Sequence, residues 1–175
     1  MRITILLWAL PLVGMAVDHG VLPQGHALVE WSGLAPCRNG AGAWWAINDG
    51  GNPSEVILLD RDLRVRRRLG VSAANIDWED LATGDGRLYL ADIGDNQRIR
   101  TSVQVLAVIE PDADGHVPLA PLAVWNLRYP DGACDAEALV VHGDRGWIID
   151  KRPAAARIWR FALDDRRDQV LEDAG

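Results

Sequence analysis

The chain has 175 residues and a formal net charge of −7, and Lys151 is the only lysine among its 18 basic residues. An acidic chain whose one basic run is Arg64–Arg68 argues against a nucleic-acid partner. The length allows one domain with a real core.

The first element in chain order is a processing signal. Arg2 precedes an apolar run, Ile3 to Val17, broken only by Pro11 and Gly14, with Gly14 and Ala16 supplying small residues for cleavage after Ala16. This is the pattern of a secretory signal peptide over residues 1–16. The run is shorter than the roughly 20 residues a membrane helix needs, so an uncleaved anchor is the weaker reading. The mature chain, 17–175, is expected in the periplasm or outside the cell, with no membrane span after cleavage.

A short pattern then occurs three times. Its first copy is Ser32-Gly33-Leu34-Ala35, a Gly-rich turn at 39–42, and Trp45-Ala46-Ile47-Asn48-Asp49-Gly50-Gly51-Asn52. The second is Glu79-Asp80-Leu81-Ala82, a turn at Gly84-Asp85-Gly86, and Tyr89-Leu90-Ala91-Asp92-Ile93-Gly94-Asp95-Asn96. The third is Glu137-Ala138-Leu139-Val140, a turn at 143–146, and Trp147-Ile148-Ile149-Asp150. Each copy is followed by a further β-like run: Val56–Leu59, Val103–Ile109 and Ile158–Leu163. Counting from Ser32, Glu79 and Glu137, the steps are 47 and 58 residues. Such periods, with insertions in loops, are those of β-propeller blades.

The expected fold is therefore all-β, a partial β-propeller of about three antiparallel four-stranded blades at roughly 30–70, 77–129 and 135–175. Strands A to D run from the axis outward in each. Strand A is expected over 32–37, 79–83 and 137–142; strand B over 43–48, 87–92 and 147–150. Strand C is expected over 55–60, 103–109 and 157–163, and strand D over 64–70 and 123–129. The third copy has no convincing strand D, and its tail has the composition of a short helix. Rings of this kind need about four to eight blades, so the chain reads as the front half of a six-bladed propeller, cut off inside its third blade. Trp45, Tyr89 and Trp147 hold equivalent positions and are expected to wedge between blades. Core packing is preferred over a pocket wall for Trp31 and Trp78, and a solvated edge for the Arg64–Arg68 run.

Antiparallel order places the starts of A and the ends of B on one face. That face collects Asp77, Glu79, Asp80, Asp135 and Glu137 from strand-A starts. It adds Asn48, Asp49, Asn52, Asp92, Asp95, Asn96, Asp150 and Lys151 from strand-B ends. Oxygen donors on Gly-turned loops suit hard cations such as Ca²⁺; Asp and Asn also cap turns through their own side chains. We single out Glu79, Asp92, Glu137, Asp95 and Asn96 as metal candidates, and Asn48, Asp49, Asp80, Asp150 and Lys151 as ligand-binding candidates. Glu79 and Glu137 are also a candidate acid–base pair. The four histidines are scattered, and no P-loop, dinucleotide fingerprint, nucleophile elbow or zinc spacing is present. Cys37 ends the first strand A and Cys134 precedes the third, so they are expected near opposite faces and unbonded, although exported cysteines usually pair.

The strings Asp77-Trp78-Glu79-Asp80-Leu81-Ala82, Ala91-Asp92-Ile93-Gly94-Asp95-Asn96, Tyr129-Pro130-Asp131-Gly132 and Asp135-Ala136-Glu137-Ala138-Leu139 carry a resemblance. Over roughly residues 30–152 the chain resembles a group of exported, mostly uncharacterised bacterial proteins. That group is similar to six-bladed propellers of the broad phytase-like and gluconolactonase-like type. The resemblance implies a protein nearly twice this length. It also implies central acidic residues that bind Ca²⁺ and assist hydrolysis of phosphate or lactone esters, with Glu79, Asp92 and Glu137 as first candidates. Two functions are expected from these readings: a metal-assisted hydrolase of a phosphoester or lactone, or a non-catalytic module that grips a small polar molecule or a peptide.

Overall fold

The structure is a computed structural model and describes residues 30–40, 42–112 and 118–175. It is all-β, with thirteen strands among the described residues and no helix. The first sheet comprises β1 (Trp31–Pro36), β2 (Trp44–Asn48), β3 (Glu55–Leu59) and β4 (Val65–Gly70), paired antiparallel in chain order. The second repeats that order with β5 (Trp78–Gly84), β6 (Arg87–Asp92), β7 (Val103–Ile109) and β8 (Ala123–Arg128). The third begins β9 (Ala136–His142), β10 (Arg145–Asp150) and β11 (Ile158–Ala162), also antiparallel. Observed strand limits lie within one or two residues of those expected from the repeats.

Local chemistry sets these boundaries. Asp85 and Gly86 both take positive φ, +49° and +70°, which makes the β5–β6 connection a two-residue hairpin of the type whose twist matches its strands. At the first β3–β4 turn, Asp60 Oδ1 accepts the amides of Asp62 and Arg64 at 2.9 and 3.0 Å. The β4 arginines form the outer edge, and Arg64, Arg66 and Arg68 are exposed.

The tail departs from expectation. It is not helical: β12 (Asp168–Val170) crosses to the second sheet and pairs parallel with β8, and β13 (Glu172–Asp173) returns to pair antiparallel with β11. The second sheet thus has five strands, and the third gains a short fourth strand. Gln169 explains the path. Its side-chain amide donates to the carbonyls of Ala162 and Arg166, both at 2.8 Å, and its Oε1 accepts the Ala162 amide at 3.0 Å. Leu171 is buried in the core beside these contacts. Tertiary burial and edge pairing outweigh weak helix propensity here.

Two apolar layers hold the sheets together. Trp45, Ile47, Val56 and Leu58 of the first sheet pack against Leu81, Leu88, Leu90, Leu106 and Val108 of the second. The other face of the second sheet (Tyr89, Ala91, Val105, Trp125 and Leu127) packs against Leu139, Ile148, Trp159 and Phe161 of the third. Of the three equivalent aromatics, Trp45 and Tyr89 are buried between sheets, whereas Trp147 is half-buried on the third sheet's outer face. Trp78 is fully buried, with its indole N–H on the Ala74 carbonyl at 3.1 Å, while Trp31 is exposed.

The first strands of the sheets lie side by side, β5 between β1 and β9. A Cβ on Gly33 would meet Asp80 Cα at 2.8 Å and Leu81 N at 2.7 Å, so the bare glycine lets β1 touch the β5 backbone. Side chains bridge these strands: Ser32 Oγ donates to the Glu79 carbonyl at 2.7 Å, and the Leu139 amide donates to Asp80 Oδ2 at 2.8 Å. Cys37 and Cys134 are both free and buried. No helix among the described residues is long and apolar enough to cross a membrane.

Candidate functional site

The starts of β5 and β9 and the loop after β2 bring five carboxylates to one end of the sheets. One oxygen from each of Asp49, Asp77 and Glu79 lies within 4.8 Å of the other two. Glu79, Asp135 and Glu137 meet the same condition, so Glu79 belongs to both groups. These two acidic groups can hold a metal ion. Glu79 and Asp135 are each only 5% exposed, Asp49 and Asp77 are half-buried, and Glu137 is exposed.

Two glycines shape the cradle. A Cβ on Gly94 would collide with Glu79 Oε1 and the Asp77 carboxylate; a Cβ on Gly50 would collide with Asp77 Oδ1. Gly50 and Gly94 occupy the same position in the first two repeats, so the repeat itself supplies the room in which Asp77 sits. Gly94 N also donates to the Asp77 carbonyl at 3.1 Å.

Charge crowding shows in the proton affinities. Burial, then Glu137, Asp49 and Asp77, push the Glu79 carboxyl up to about 8, against a weaker opposing bond from Ser32. Burial and the charges of Asp49, Asp135 and Asp92 raise Asp77 as well, against the pull of Arg100. At the Glu137 side, Lys151 Nζ bonds Glu137 Oε1 and lies 3.6 Å from Asp135 Oδ2. Its hydrogen bond to Glu137, opposed by partial desolvation, keeps the ammonium protonated above its ordinary range.

The remaining candidates divide. Asp92 is buried beside Asp77: its Oδ1 accepts the Asp77 amide at 3.0 Å and Arg100 Nη1 at 2.9 Å, while its Oδ2 has no partner. Asn48, its counterpart in the first repeat, is buried with Oδ1 also unpartnered. Asp95 spends both oxygens on the amides of Ile99 and Arg100, at 3.0 and 2.9 Å, and its own amide donates to Asp135 Oδ1 at 2.9 Å. Asn96 is exposed. Asp80 bonds the Leu81 and Leu139 amides, both at 2.8 Å, and so stitches β5 to β9.

Asp150, the third repeat's counterpart of Asp92, looks away from the cluster into a network of its own. It accepts Trp159 Nε1 at 2.8 Å, the Arg157 amide at 2.8 Å and Arg152 Nε at 2.7 Å. Burial alone would raise its carboxyl; these donors more than offset that and hold it below the ordinary range. Arg152, which also forks onto Asp131 at 2.7 and 2.9 Å, stands where the other repeats have Gly50 and Gly94. The cradle is therefore formed by two repeats and closed off in the third.

Sequence reasoning missed Arg100 and Ser32, the cation and hydroxyl that flank the carboxylates. Arg98 and Arg100 both follow Asp95-Asn96, and nothing in the sequence separates them; Ser32 is the first repeat's counterpart of Glu79 and Glu137, which was the available signal for the hydroxyl. No known family's sequence pattern matches the chain, and no curated protein is significantly similar to it.

Proposed function

We propose that the three sheets are blades of an exported β-propeller. In this reading the acidic mouth binds Ca²⁺ and uses it to hold a small phosphoester or lactone for hydrolysis. Support for the propeller reading comes from the repeat equivalence of the sheets, their side-by-side first strands, and the shared faces through which each packs on the next. Support for export is the apolar run Ile3–Val17 in the sequence. The single observation that carries the metal reading is Glu79: a buried carboxylate common to two acidic groups, with its affinity for a proton raised first by burial and then by its neighbours. The neighbouring charges that add to the effect of burial on that proton would favour a cation in the same place.

The residues fit such an ion. The donors are all oxygens, which hard cations prefer. Gly50 and Gly94 let the Asp77 and Glu79 carboxylates lie against the backbone, and Asp92 and Asn48 keep buried oxygens without partners. Asp49, Asp77 and Glu79 would hold it, with Asp135 and Glu137 on the far side of Glu79. Bound there, Ca²⁺ would polarise a phosphoryl or acyl oxygen. Glu79 and Glu137 remain the candidate acid–base pair, with Glu137 at the exposed rim and bonded to Lys151.

A second reading, a non-catalytic binding module for a polar molecule or peptide, is favoured by Asp80, Asp95 and Asp150. Their oxygens are engaged by amides and side-chain donors and so serve the scaffold. Titration calorimetry with Ca²⁺, paired with turnover of p-nitrophenyl phosphate and gluconolactone, separates the two. Calcium-dependent turnover that Glu79→Gln abolishes supports hydrolysis; binding without turnover supports the module. No heat of binding at millimolar Ca²⁺, the weak end of the extracellular range, removes the metal from both.

A further inference from the structure

The two acidic groups that share Glu79 are not electrically alike. Around Glu79, Asp135 and Glu137 the chain supplies its own cation. The Lys151 amide donates to the Asp135 carbonyl at 2.9 Å, which fixes the residue at the start of β9, and its ammonium reaches Glu137 and Asp135. The side chain is 54% exposed and leans across the rim of the mouth.

The other group has no ion pair of its own among the described residues: Arg100 acts on Asp77, and Lys151 on Glu79, only at longer range. Among the described residues no cationic side chain pairs with Asp49, Asp77 or Glu79. The nearest candidate, Arg100, is committed elsewhere, with Nη1 on Asp92 Oδ1 at 2.9 Å and on the Gly94 carbonyl at 2.8 Å. Beside this group lie the features that call for an added ion. Asp92, 1% exposed, turns Oδ1 to the Asp77 amide and leaves Oδ2 without a donor. Asn48 Oδ1, next to Asp49 in the chain, is buried and equally bare. Both cradle glycines line this side.

We propose that Lys151 is a tethered counter-ion that occupies the Glu79–Asp135–Glu137 half of the mouth. It confines an incoming divalent cation to the Asp49–Asp77–Glu79 half, and removing its charge opens a second seat in which Glu79 bridges two ions. The inference rests on the metal reading above and adds to it the number of ions, their place and the residue that limits them. A lysine is suited to the role, because an ammonium is a compact point charge on a flexible stem that can stand where a cation would.

The test counts ions on the whole chain. Mn²⁺ serves as probe because electron paramagnetic resonance reports the free ion directly, and carboxylate sites accept it. The wild type is expected to bind one Mn²⁺ and Lys151→Met two. Adding Glu137→Gln to Lys151→Met should bring the count back to one, and Asp49→Asn should lower the wild-type count to zero. Lys151→Gln, which keeps polarity at the rim, is expected to match Lys151→Met and guards against a packing artefact of the methionine. One ion in both the wild type and the Lys151 variants overturns the counter-ion role and leaves the metal reading standing. Two ions in the wild type, or one that appears only when Lys151 is replaced, also overturns it. No binding in any variant overturns the metal reading and this inference together.

Discussion

Replacing Glu79 by glutamine isolates the electrostatic cost of the acidic mouth. Glutamine keeps the shape and cannot ionise. In the unfolded chain a glutamate carboxyl titrates near its ordinary 4.5, and in the folded chain Glu79 does so at about 8. Between those values the native state holds a proton that the unfolded state has released, so wild-type stability falls as pH rises, by about 1.4 kcal/mol per unit. Below the lower value the wild type and Glu79→Gln should differ little. At pH 7 the variant should be the more stable by about 3 kcal/mol, and by about 4–5 kcal/mol above pH 8, where the difference levels off. For a domain of this size, 3 kcal/mol corresponds to a melting temperature higher by about 6–12 °C. Urea unfolding followed by tryptophan fluorescence at pH 5, 7 and 9, with EDTA present, measures this difference while titrating groups not coupled to Glu79 cancel. If the proposed metal reading holds, saturating Ca²⁺ should reverse the order, because it would bind tightly only to the native wild type. A gap that does not widen from pH 5 to pH 9 in EDTA would refute the crowded-carboxylate account of Glu79.

Two further outcomes are expected from substitutions. Gly94→Ala should lower stability by about 1–3 kcal/mol and weaken Ca²⁺ binding, since its methyl collides with Glu79 and Asp77. Gly70→Ala, whose methyl meets nothing within 4 Å, should change neither quantity in the same denaturation and calorimetry experiments. Trp45→Ala should cost about 3–5 kcal/mol and the repeat-equivalent Trp147→Ala much less, because only the first ring is enclosed between two sheets. Equal losses in urea unfolding would mean that the outer face of the third sheet is covered as well as the inter-sheet layers.

The fold was legible because its signal is repeated and local. Apolar runs such as Leu88–Ala91, entered from the Gly84-Asp85-Gly86 turn, leave little choice of strand limits, and three copies fix the pairing order. The crossing of β12 was not legible. Residues 168–170 have no alternation to read, and their partner on β8 is 42 residues away, chosen by Gln169 and Leu171. The acidic face was visible from strand polarity, yet the roles within it were not. Asp92 and Asp150 are equivalent in sequence, and what separates them is the neighbour two residues on, glycine in one case and Arg152 in the other. Asp80 and Asp95 resembled ligands until the free amides of Leu139, Ile99 and Arg100 were found beside them.

The parallel strand β12 gives the molecule a timing problem. Elsewhere strands pair with the next or previous strand of the chain, apart from β13, which returns to β11. The outer edge of β8 must instead wait for residues 168–170, about 40 residues after β8 is complete. At about 5–20 residues per second that interval lasts about 2–8 s. During it the Asn126 amide and the Arg128 carbonyl, later satisfied by Arg167 and Leu171, face water. An open edge of that kind is where a second nascent chain can pair by mistake. Slowed synthesis between β8 and β12 should therefore lower soluble yield, while the same delay after β13 should not.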